Sequence, residues 1–91
     1  MFNLENLIAS EATREANRSR PNPQRFELCV CCERPVRPEN SIQIEAAGGG
    51  WDLVDQDDST AKVDEDAAGY MGVWIVGPIC ATRIPSRFHI K

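Results

Sequence analysis

The sequence predicts a small α+β protein: an N-terminal helix, a small antiparallel sheet with a C-x-x-C turn, and a short C-terminal helix starting near Cys80. Three patterns carry this. Apolar residues recur at helical spacing after Asn3, two alternating segments flank Gly48-Gly49-Gly50, and Pro78 stands where a helix would begin. At 91 residues, 42% of them hydrophobic, the chain has room for one small core, and cores of that size often need a metal or a partner. We divide it into an N-terminal helix with its Arg/Pro linker (1–25) and an α+β domain (26–91) with an acidic loop at 55–68.

Asn3 caps a helix expected to run from Leu4 to about Asn17, with Leu4, Leu7, Ile8 and Ala12 on one face. Glu11 with Arg14, and Glu15 with Arg18, are spaced for ion pairs. By default the end formed by Phe2, Leu4, Leu7 and Ile8 docks on the domain; the alternative is capture by a partner. Arg18 to Arg25 contains Pro21 and Pro23, which end the helix and favour extended chain.

Phe26, Leu28 and Val30 alternate with Glu27 and Cys29, which predicts a half-buried strand leading into the cysteine turn. Ser41–Ala46 alternates again, the glycines reverse the chain, and Trp51–Val54 returns. Ile42, Ile44, Trp51 and Leu53 should share the buried face of this hairpin. Residues 55–68 are too charged for a core and predict a mobile acidic loop. Tyr70–Val76, the most apolar run, predicts a central strand that delivers the chain to Gly77-Pro78. Proline suits a first helical turn, and Pro85 limits that helix to about Ile79–Ile84. The segment Arg87–Lys91 either adds a terminal strand or folds back to present His89.

The chemistry lies in the cysteines. Cys29 and Cys32 flank a tight turn that can aim two thiolates at one point, and Cys80 supplies a third from a helix start that favours a thiolate. A C-x2-C partner for Cys80 would fall at position 77, which is Gly. The first choice for a fourth ligand is His89, the only histidine; Cys31 is the alternate, and an Asp or a water the third choice. We therefore expect a structural zinc ion on Cys29, Cys32, Cys80 and His89. A redox dithiol fits poorly, because Pro35 and Pro38 oppose the helix that a thioredoxin-type pair begins. A disulfide framework is disfavoured too, since no secretory leader pattern opens the sequence and three cysteines within four residues cannot pair without strain.

Net charge is −4 but strongly segregated. Residues 14–37 carry six Arg against three Glu, while residues 39–66 carry nine acids against Lys62. Asp55, Asp57, Asp58, Asp64, Glu65 and Asp66 are the candidate partner-binding acids. The same loop is a poor calcium site: Thr60 stands where the turn needs Gly, and Asp66 where a bidentate Glu belongs. No run approaches the ~18 apolar residues of a membrane span, so we expect no membrane and a cytoplasmic protein.

The order of strand, C-x-x-C turn, hairpin and cysteine-headed helix over about residues 26–84 resembles a degenerate treble-clef or zinc-ribbon module. Intact versions begin the helix C-P-x-C, where this chain reads Gly77-Pro78-Ile79-Cys80, and commonly place Gly where Glu33 stands. The phrases C-x-C-C-E-R-P-V and G-Y-M-G-V-W-I-V-G-P-I-C-A resemble uncharacterised phage- or prophage-encoded proteins. That resemblance implies a bacterial or phage-infected cytoplasm and a task against host machinery.

No reaction centre is legible: the single His has no acidic neighbour, and the glycine run precedes a strand. The expectation is a non-catalytic, zinc-stabilised module that binds an unidentified protein partner, as a monomer or a dimer. An alternative is an acidic inhibitor that mimics nucleic acid before a host defence complex. A weaker one is nucleic-acid binding through Arg14, Arg18, Arg20 and Arg25, which the acidic balance and the lack of interleaved aromatics argue against.

Overall fold

A computed structural model describes residues 2–90 and has the expected α+β class. Its sheet has three antiparallel strands, β1 (Ile42–Ala47), β2 (Asp52–Leu53) and β3 (Gly72–Val76), in the order β2-β1-β3. The hairpin forms as its alternation predicts, with Ala46 opposite Leu53 and Ala47 opposite Asp52. Gly48 and Gly49 take φ of 78° and 76°, a region that L side chains rarely adopt, and so make the reversal. Gly69 packs against that turn so closely that a Cβ would lie 2.7 Å from the Gly49 nitrogen.

The most apolar run is not the central strand. β1 is central, pairing with β3 from Ile42–Val76 to Ala46–Gly72, and β3 is an edge. Its apolar side chains serve other contacts. Trp74 meets Trp51 edge to face at 5.2 Å, and the Ile75 carbonyl accepts the Val30 N–H at 3.0 Å. Val73 and Trp74 remain 48% and 38% exposed, whereas Ile44, Ala46 and Val76 on the inner face are fully buried.

The N-terminal helix is shorter than its periodicity suggests. Leu4–Leu7 forms a 3-10 turn capped by Asn3, and α1 (Glu11–Arg18) starts afresh at Ser10, whose Oγ accepts the Thr13 N–H at 3.3 Å. Ser is a strong N-cap, so the chain breaks at Ile8–Ser10. The break lets the apolar end dock: Leu4 is fully buried, its N–H bonds the Trp51 carbonyl at 2.8 Å, and Phe2, Leu7 and Ile8 pack on the core. Glu11 pairs with Arg14 at 2.8 Å as spaced. Arg18, however, turns from Glu15 to Glu33 at 2.6 Å and to Glu11 at 3.2 Å.

The segment 26–30 is no strand. It contributes a bridge between Leu28 and Pro35, and its fully buried member is Cys29, with Phe26, Leu28 and Val30 half-buried. The reason is the tight turn that follows, which spends the backbone groups locally. Short α2 (Pro78–Ala81) ends well before Pro85, and Ile90 bridges to Gln43 of β1. Among the described residues, no helix is long and apolar enough to cross a membrane.

Candidate metal centre

The cysteine turn is a knuckle closed by its own backbone. The Cys29 N–H donates to the Arg34 carbonyl at 2.9 Å, the Glu33 N–H to the Cys29 carbonyl at 2.7 Å, and the Val36 N–H to the Glu27 carbonyl at 2.9 Å. Glu33 takes φ 61°, the left-handed conformation that explains why glycine suits this position. From outside, the Ala9 N–H holds the Cys31 carbonyl at 2.8 Å and the Asn17 amide holds the Cys32 carbonyl at 2.9 Å. The N-terminal arm thus grips the knuckle's carbonyls, so its backbone polar groups are satisfied while its thiols turn inward.

Cys80 arrives from the opposite direction. β3 leads into Gly77, which serves as N-cap of α2, and Pro78 opens the helix. Gly77 lies hard against the knuckle: a Cβ there would be 3.1 Å from Val36 Cγ2 and 3.9 Å from Cys29 Sγ.

As a result the sulfurs of Cys29, Cys31 and Cys80 all lie within 4.8 Å of one another. Cys29 and Cys31 are fully buried and Cys80 half-buried; all four cysteines are free thiols. Cys32 lines one cavity together with Cys29 and Cys80. Cys29 is held well below the ordinary thiol range, first by the hydrogen bond from Cys31, then, against burial, by the Gly77, Cys32 and Cys31 N–H groups. Cys31 is pushed up by donating that bond and by burial. Cys80 is raised by burial and next by the charges of Cys29 and Cys32. One thiolate therefore forms at its neighbours' expense, and a cation would remove the conflict.

Of the four ligands expected from sequence, Cys29 and Cys80 are brought together and Cys32 lines the same cavity as both. His89 stands apart from the group of three sulfurs, with its Nε2 2.9 Å from the Ile84 carbonyl. Cys31, the alternate, lies within the group. The expected partner-binding acids lie around a 3-10 turn at Ser59–Ala61. Asp58 caps that turn and Asp55 meets Arg87 at 3.6 Å, while Asp57, Asp58, Asp64, Glu65 and Asp66 are solvent-exposed. The grip of Ala9 and Asn17 on the knuckle was beyond sequence reasoning, because nothing local to either residue signals it.

The donor set fits a metal. Three convergent sulfurs match the soft ligands that select zinc or iron among the common metals, and no hard oxygen donor belongs to the group. A zinc ion there would join the knuckle to α2 across the chain. Comparison with protein-family models, with curated proteins and with solved structures finds no match to this chain.

Proposed function

We propose that this chain is a small, non-catalytic interaction module held together by a structural zinc ion in its cysteine cluster. The observation that carries the reading is the meeting of Cys80 with Cys29 and Cys31, from remote parts of the sequence, within 4.8 Å. A structural zinc contributes on the order of 10 kcal/mol of apparent folding free energy. That is large beside a core whose largest fully buried side chains are Leu4, Ile44, Val76 and two cysteines. With the apolar N-terminal end docked, the edge strand β3, where Val73 and Trp74 stay exposed on opposite faces, is the contact we assign to a protein partner. On this reading the chain is a degenerate treble-clef module, and a phage or prophage setting would place its partner in the bacterial host. Native mass spectrometry of protein made without added metal tests it: one zinc per chain is expected, lost in Cys80→Ser. Metal-free, folded wild-type protein would overturn it.

A second reading is favoured by the exposure of Asp57, Asp58, Asp64, Glu65 and Asp66. On it, the acidic loop occupies a basic, nucleic-acid-binding surface of a partner, and binding weakens steeply with salt. Charge reversal at Asp55, Asp57 and Asp58 that leaves partner binding unchanged removes it.

A further inference from the structure

We infer that the metal is held by all four cysteines, Cys29, Cys31 and Cys32 from the knuckle and Cys80 from α2, with His89 outside the coordination sphere. This rests on the metal-held reading above and specifies its ligands.

The place to begin is Gly77, the position from which a C-x-x-C pair with Cys80 would supply the fourth sulfur. A Cβ there would already be 3.9 Å from Cys29 Sγ, so that position faces the cluster, yet it carries no side chain. A different residue has to complete the set, and Cys31 is in place: it is fully buried, and its sulfur is within 4.8 Å of both Cys29 and Cys80. Cys32, which lines one cavity with Cys29 and Cys80, then closes the group from the solvent side. Three ligands within four residues are feasible because the arm holds the Cys31 and Cys32 carbonyls outward, at Ala9 and Asn17.

Charge supports the same set. Four thiolates around a divalent ion carry −2, and a set with one neutral imidazole carries −1. A cavity of about 520 Å³ lined by Cys29, Cys32 and Cys80 is also lined by Arg34, Arg37 and Arg83. Among the described residues Arg34 and Arg83 form no ion pair, and Arg37 reaches Glu39 only at 3.9 Å. That cavity wall carries arginines and no carboxylate, which suits a doubly negative centre.

Zinc-edge X-ray absorption on the wild-type protein tests this directly. A single shell of four sulfurs at about 2.3 Å is expected, unchanged in His89→Ala. Cys31→Ser and Cys32→Ser should each weaken zinc retention against a chelator at least about tenfold, an effect that even outer-shell changes at metal sites reach. A shell with one nitrogen at about 2.0 Å that disappears in His89→Ala overturns the four-cysteine set and leaves the metal-held reading standing. Absence of zinc from the wild-type protein overturns both. Because the wild-type spectrum alone counts the sulfurs, the outcome stands even if a cysteine variant fails to fold.

Discussion

Gly77 sits so near the knuckle that an added Cβ would come 3.1 Å from Val36 Cγ2 and 3.9 Å from the Cys29 sulfur. The contact joins the end of β3 to the knuckle independently of any ion. Its φ of −71° is ordinary, so the requirement for glycine is one of space. Gly77→Ala should cost about 1–3 kcal/mol by overpacking. The double variant with Val36→Ala should lose less than the two single costs combined, in denaturant unfolding. Simple additivity would show that the two positions do not press on each other.

Asn17 is a positioning residue for the knuckle. Its amide donates to the Cys32 carbonyl at 2.9 Å, and Asn17→Ala should cost about 1 kcal/mol of stability. It should also speed the transfer of zinc to a chelator, which a purely helical role for Asn17 would leave unaltered.

Docking of the N-terminal arm depends on Leu4, which is fully buried beside the sheet. Leu4→Ala should cost about 2–5 kcal/mol in equilibrium unfolding. A cost near zero would mean that the arm lies free.

Tyr70 is the only tyrosine, and its hydroxyl donates to Glu45 Oε2 at 2.6 Å. That bond raises its pKa from 10.0 to about 12, with burial and the Glu45 charge adding to the rise. Because the folded state holds this proton more tightly than the unfolded chain, the contribution is complete below pH 10.0 and is lost as pH rises towards about 12. Ultraviolet titration of the tyrosinate should place the folded midpoint well above that of the denatured protein. Tyr70→Phe should abolish this part of the alkaline decline in stability.

How much of this was readable differs by element. The hairpin was legible because Ile42, Ile44 and Ala46 alternate and three glycines mark the reversal, both local signals. The N-terminal break was also written locally, in Ser10, but the apolar spacing of Leu4, Leu7 and Ile8 runs up to it and hides it. The alternation of residues 26–30 misled because its buried member is Cys29, which a period-2 pattern of Phe26, Leu28 and Val30 assigns to the other face. At the site, the C-x-x-C spacing and a cysteine in a first helical turn pointed to the right segments. The place of His89 was not legible, because it is set by the Ser86–Phe88 turn and the Ile90 bridge to Gln43, far along the fold.

The most direct test of the central claim is thermal unfolding of the zinc-loaded protein, followed by circular dichroism with and without a strong chelator. If an ion joins the knuckle to α2, the chelator should remove most of the stability, so that the chain is largely unfolded at room temperature and refolds on addition of zinc. A melting curve that the chelator leaves unchanged, from protein shown by mass to have lost its metal, would contradict it.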